Sequence, residues 1–156
     1  FLIKAIPIVS KNIKNSVLVA IVSRDPAYRK QYSRMLRLIE GLKIQDKVIV
    51  LDPVSRRELP NYIKAADCVV VPSLTEGFGF AAAEACAMGK PVVASNTSSL
   101  PEVVSGRYVL VKPGSAEAIA KGVEMVFKKK FIKTKLKRFR LKENVERYLN
   151  IYKSLR

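Results

Sequence analysis

Residues 66–95 read ADCVVVPSLTEGFGFAAAEACAMGKPVVAS, and their order decides the fold. ADCVVV is a short apolar run with β-branched residues, which predicts a buried strand over 67–71. Pro72 ends it. Residues 73–79 supply Ser, Thr, Glu and two glycines, and residues 80–88 are good helix formers. Gly89 and Pro91 stop that helix, and PVVAS opens the next strand. Strand, glycine-bearing loop, helix and strand in succession set the free N–H groups of a helix start beside the carboxyl end of a parallel strand. That is a place for an anion such as a diphosphate.

Two acids flank the loop. Glu76 lies on it, and Glu84 lies five residues after Gly79, roughly 7–8 Å along the helix at the usual rise. Both can face the crevice at the strand end. A carboxylate is a poor partner for phosphate and a good acceptor for two vicinal hydroxyls. The pair with the helix start therefore predicts a ligand that is part phosphate and part polyol, and a nucleotide sugar fits. The plainer alternative makes Glu76 an ordinary acid favoured by the helix dipole and Glu84 a surface residue.

The same alternation runs outward in both directions. Residues 1–10, FLIKAIPIVS, read as the back end of a helix, with Pro7 tolerable only at a kink or near the end. SVLVAIVS (16–23) and KVIVLD (47–52) read as strands, and 26–40 as a helix opening at Pro26 and stopping at Gly41. Ser55 and Glu58 form a capping box for a short helix through RRELPNYIKAA, with Pro60 in its first turn. After the turn NTSSLPEVV, RYVLVK (107–112) is a strand, and Ser115 caps a helix to about Phe127. The reading is a three-layer α/β/α Rossmann-like domain, a mostly parallel sheet of about five or six strands covered on both faces.

At 156 residues and 49% hydrophobic composition the chain suits one domain with a sizeable core. No window reaches the 18 or so consecutive apolar residues of a membrane span. Cys68 and Cys86 lack a motif spacing and sit in apolar runs, so buried free thiols in a reducing, cytoplasmic compartment are expected. With no His, imidazole chemistry and histidine metal ligation are excluded within this chain.

The net charge of +16 is uneven: residues 128–142, KKKFIKTKLKRFRLK, hold nine basic residues and no acid. Helical spacing places Ile132, Leu136, Phe139, Val145, Tyr148, Leu149, Tyr152 and Leu155 near one stripe, so 128–156 reads as a basic amphipathic helix. Three uses compete. The stripe packs on protein with its lysines solvated; or the segment makes peripheral contact with an anionic membrane, at the inner membrane face of the cytoplasm; or it binds nucleic acid. No zinc, sheet-aromatic or basic-zipper pattern accompanies the charge, which disfavours the last.

The run ADCVVVPSLTEGFGFAAAEACAMGKPVVASNTSSLPEVV closely resembles the C-terminal, donor-binding domain of GT-B glycosyltransferases of the retaining group 1, or family 4. The signature is Glu, seven residues, Glu, here Glu76 and Glu84, joined by EGFG, the continuation EACAMGKPVVA and the later SSLPEVV. Similarity also extends over KVIVLDPVSRRELPNYIKAAD and LVKPGSAEAIAKGVEMVF, so it covers nearly the whole chain.

The resemblance implies a hexosyltransferase domain that binds a UDP-sugar or GDP-sugar, with no cofactor and no metal. Glu76 would meet hydroxyls of the transferred sugar. The backbone N–H groups of Gly77, Phe78, Gly79 and Phe80 would hold sugar hydroxyls and the diphosphate, and Glu84 would grip the ribose hydroxyls. The glycines would leave space for the donor. Transfer in this family retains anomeric configuration, by front-side attack of an acceptor hydroxyl with the departing diphosphate helping to take the proton. Glu76 need not be a nucleophile, and the paired-carboxylate scheme of glycoside hydrolases does not carry over.

Departures from the family pattern shape the expectation. The basic Arg and Lys pair of the first strand-to-helix loop has no counterpart, since FLIKAI resembles the helix after that loop and Lys4 belongs to the helix. The reading is that the first strand and phosphate loop lie upstream of Phe1, and that the N-terminal acceptor-binding domain is missing too. Ser23, Arg24 and Asp25, and Asp52 with Pro53, stand where many members have glycines. The chain alone is expected to bind donor weakly and to transfer nothing. The competing classes are a dinucleotide-dependent oxidoreductase, whose acid should come roughly 20 residues after GxGxxG, and a non-catalytic nucleotide-binding or interaction module of Rossmann-like fold.

Overall fold

A computed structural model describes residues 1–155; Arg156, the last residue of the 128–156 segment, lies outside the described residues. The elements in chain order are α1 (Leu2–Asn12), β1 (Leu18–Ile21), α2 (Arg29–Gly41), β2 (Val48–Leu51), α3 (Leu59–Ala65), β3 (Val69–Val71), α4 (Phe80–Ala87), β4 (Val92–Ser95), α5 (Leu100–Val103), β5 (Arg107–Val111), α6 (Ala116–Phe127), β6 (Ile132–Lys133) and α7 (Leu141–Ser154). Alternation of strand and helix from β1 to α6 is as expected. Pro7 sits inside α1 rather than ending it, forgoing one intrahelical hydrogen bond.

The strands divide between two sheets. β3, β4 and β5 pair in parallel, with Val71 opposite Ala94 and Ala94 opposite Leu110. β6 adds an antiparallel edge to β5. β1 and β2 pair in parallel as a separate ribbon, Leu18 opposite Val48 and Ile21 opposite Leu51. The expected single sheet is thus six strands in two mostly parallel sheets, because among the described residues no ladder joins β1 to β3.

Strand alternation distributes the core of the larger sheet to both of its faces. Val71, Val92 and Ala94 pack against Ala82, Ala85 and Cys86 of α4 and Leu100 and Val103 of α5. Val93, Val109 and Val111 turn the other way, onto Ala5 and Val9 of α1 and Ile119 and Ala120 of α6. The layers are therefore helix, sheet, helix. Close approach of α6 requires Gly122, since a Cβ there would meet Val111 Cγ1 at 2.7 Å and Val93 Cγ1 at 2.8 Å. Ile6 of α1 joins a third cluster with Ile39, Ile44 and Val48 beneath the β1–β2 ribbon.

The C-terminal segment differs from the helix expected over 128–156. α6 stops where Lys129 takes a left-handed conformation, φ 55°, and Lys130 N–H donates back to Met125 O at 2.7 Å. Residues 132–133 then bond to β5, and a helix resumes only at Leu141. Strand pairing with β5 thus overrides the helical period that the apolar spacing suggested. Ile132, Leu136 and Phe139 fall outside α7. The rest of the stripe is exposed rather than packed on protein: Tyr148 at 58%, Tyr152 at 65% and Leu155 at 77%.

Candidate functional site

The site is built where β3 ends. Buried Val71 closes the strand, and residues 72–79 turn the chain into α4. Two polar residues of the β4–α5 turn hold this loop. Thr97 Oγ1 donates to Leu74 O at 3.3 Å, and Ser99 Oγ donates to Glu76 O at 3.3 Å. Ser73 Oγ donates to Glu76 Oε1 at 2.8 Å, so the half-buried Glu76 carboxylate is oriented from within the loop. The sequence pattern points to Glu76 but not to these three partners, which come from Ser73 and from the separate run NTSSLP.

Gly79 caps α4 with φ 91° and ψ 49°, a left-handed geometry. A Cβ there would also meet Leu100 Cδ2 at 2.7 Å. Gly79 is thus required by the turn and by Leu100 behind it, a reason internal to the fold. Gly77 differs: a Cβ there would meet nothing within 4 Å. Its side of the loop is open space.

The helix start is electrostatically unfilled. Ala82 N–H and Ala83 N–H both donate to Gly79 O, at 3.0 and 3.1 Å. Among the described residues, the N–H groups of Gly77, Phe78, Gly79 and Phe80 donate to no protein acceptor. Gly79 and Phe80 thus present free donors at the positive end of α4, where an anion is favoured, and Gly77 and Phe78 carry free donors on the loop just before it. Glu84 lies on the exposed face of α4, and among the described residues no ion pair engages it. Its carboxylate is free to accept hydroxyl donors. The loop and α4 therefore carry all six sequence-predicted site residues on one strand-to-helix unit.

A second pair of loops lies at the carboxyl ends of β1 and β2. Asp25 Oδ1 accepts from Ala27 N–H at 2.8 Å and caps the turn at Pro26–Tyr28. Arg24 Nε pairs with Asp52 Oδ1, joining the two positions where glycines were expected. The guanidinium of Arg24 also lies 5.5 Å from the Tyr32 ring centroid. The side chains that replace glycine there are thus tied to one another. Both cysteines are free thiols; burial, with Asp67 second, pushes Cys68 up to about 11. Such a thiol stays protonated and unreactive at neutral pH.

Residues 1–153 match the family model described as "Glycosyl transferases group 1". The chain belongs to the group 1 glycosyltransferases. It is 47% identical over 75 residues to a D-inositol 3-phosphate glycosyltransferase of Mycolicibacterium smegmatis, a match that covers 48% of this chain and 17% of that relative. Its fold is similar to the C-terminal domain of a group 1 family glycosyl transferase, LpcC, from Francisella tularensis. The TM-score is 0.71 at 26% identity, covering 81% of this chain and 66% of that one. HepE of Anabaena, solved in complex with UDP and glucose, shares the fold with a TM-score of 0.71 at 21% identity, over 80% of this chain and 34% of that one. The chain thus spans about a third or less of the full-length relative and of HepE. Within the family, the group 1 chain carries a GT-B-type Rossmann-like domain with a mostly parallel α/β core.

No helix among the described residues is long and apolar enough to cross a membrane.

Proposed function

We propose that this group 1 glycosyltransferase domain holds a nucleotide-diphosphate sugar at the β3–α4 loop for retaining transfer of a hexosyl group to an acceptor hydroxyl. The observation that carries the reading is the row of four undonated N–H groups from Gly77 to Phe80, set between an oriented Glu76 and an exposed Glu84. These donors take the diphosphate. Glu84 accepts from the ribose hydroxyls, and Glu76 from hydroxyls of the transferred sugar. Glu76 acts by electrostatics as positive charge develops at the anomeric centre. A structural neighbour with UDP and glucose in its crystal supports this class of ligand. In this reading a family-length enzyme supplies the acceptor site from its N-terminal domain and the basic groups that neutralise the leaving diphosphate from the first strand-to-helix loop of the donor domain, and residues 1–156 alone bind donor without transferring it.

Titration with UDP, GDP, NAD and short duplex DNA at two salt concentrations tests the class of ligand. Expected is nucleotide binding with a weak salt dependence; steeply salt-dependent DNA binding alone would favour an electrostatic nucleic-acid module. Glu84→Gln removes a charged acceptor, worth roughly 1.5–3 kcal/mol, so nucleoside diphosphate affinity should fall about 10- to 150-fold. Equal affinities would reject its role. Glu76→Gln, with an acceptor-binding domain joined, should lower kcat more than it raises the donor KM. A raised KM at constant kcat would make Glu76 a uniform binder.

A further inference from the structure

The basic segment between β6 and α7 has no place in the site as described, yet it is fastened on a route toward it. Thr134 N–H donates to Gly106 O at 2.8 Å, and Thr134 Oγ1 accepts from Gly106 N–H at 3.2 Å. Leu136 covers Gly106, where an added Cβ would meet its Cδ2 at 2.8 Å. Lys137 N–H donates to Ser105 Oγ at 3.1 Å, and its Nζ donates to Glu102 O at the end of α5. Past α5 the chain reaches the β3–α4 loop. There the ring of Phe139 meets Phe78 edge to face, centroids 5.0 Å apart at 82°. Phe78 in turn lies 4.9 Å from Phe80.

This contact adds a hold between the two glycines of a loop that Thr97 and Ser99 tether only at Leu74 and Glu76. Gly77 has no side chain and open space around it, and Gly79 is fixed from behind by Leu100. Between them, Phe78 is half-buried against the cluster formed by β3, α4 and α5. Its ring is the side chain through which the C-terminal segment touches the loop. An unheld glycine-flanked loop would spend binding energy on ordering itself.

We propose that Phe139 is a positioning residue for the donor site. By clamping Phe78 from the C-terminal segment it pre-orders the N–H groups of Gly77, Phe78 and Gly79 before ligand arrives. The inference rests on the donor reading of the loop and adds a residue some sixty positions away in the chain, outside the family's motif.

The test uses amide NMR on the 156-residue chain, with UDP as probe. An aromatic pair of this kind is worth about 2- to 12-fold in an equilibrium constant. Phe139→Ala should therefore weaken UDP binding by about that factor. Without ligand it should also lower the heteronuclear NOE of the Gly77 and Gly79 amides while leaving those of β1 and β2 unchanged. Phe139→Tyr keeps the ring edge and should restore both values. Should Phe139→Ala fold poorly, Phe139→Leu keeps apolar bulk without the ring and gives the same comparison. Unchanged loop NOE values and unchanged affinity overturn the proposal. Absence of any UDP-dependent shift in the unsubstituted chain overturns the donor reading instead. The two failures are separable because the NOE comparison needs no ligand.

Discussion

The two sheets are made of similar strands and end in different environments. In β4, Val92, Val93 and Ala94 are all 0% exposed. In the ribbon, Val19 and Ile49 stand opposite one another in register and are 46% and 50% exposed. SVLVAIVS and KVIVLD are as apolar as the PVVAS run. The difference lies in what covers them. Helices flank both faces of β3–β4–β5, whereas β1 and β2 turn only Leu18, Val48 and Val50 onto the cluster of α1 and α2. An apolar run thus states a demand for cover on two faces, and the neighbours in space decide how much of it is met.

Substitutions should reproduce that contrast. Leu100→Ala removes a side chain that is 0% exposed and rests against Gly79. It should cost about 2–5 kcal/mol in urea unfolding, and it should loosen the loop that Leu100 backs. Ile49→Thr, on the open face of the ribbon, should stay within about 0.5 kcal/mol. A large loss at Ile49 would mean that its face is covered in solution, and the comparison of the two sheets would then break.

The smallest effect expected is in acid. Glu58 is held below its ordinary range first by the Ser55 hydroxyl and then by the Ser55 backbone N–H. Glu117 is lowered by its own backbone N–H and then by Ser115. A carboxylate depressed in the folded state adds stability that is fully present above the ordinary value of about 4.3 and fades as pH falls through the lowered one. Urea midpoints measured at pH 7 and near pH 3 should differ less in Ser55→Ala than in the unsubstituted chain. Identical differences would show that the Ser55–Glu58 pair contributes nothing.

Those two pairings were legible because their chemistry is local. Ser115 Oγ accepts from Ala118 N–H at 3.1 Å at the start of α6, as the spacing predicts. Ser55 and Glu58 exchange hydrogen bonds at 3.1 and 3.2 Å, but around the turn before α3, which begins at Leu59 with Glu58 as its N-cap. Pro60 lies in the first turn of α3, as expected. The β3–α4 loop was legible too, since a strand, two glycines and a helix follow one another between Val69 and Ala87. The division of the strands was not, because register between distant strands leaves no trace in periodicity. The end of α6 at Phe127 was legible, but the strand after it was not: Ile132 and Lys133 pair with β5 where the apolar residues keep a helical spacing. Phe139 was assigned to a helical stripe for that reason, and its approach to Phe78 went unseen. Ser99 and Thr97 are held to the loop by contacts across 23 positions, again beyond any local pattern.

One helix spans the division. Ala5 and Val9 of α1 lie in the core of the larger sheet, and Ile6 lies in the cluster under the ribbon. Neither group of side chains can leave its pocket without tilting the other. Heat should therefore melt the two sheets in one cooperative transition, although no ladder among the described residues joins them. The shared helix makes the loosely covered ribbon a dependent of the denser core: it persists to the temperature at which α1 lets go, and separate melting of β2 and β4 amides would show that α1 fails to couple them.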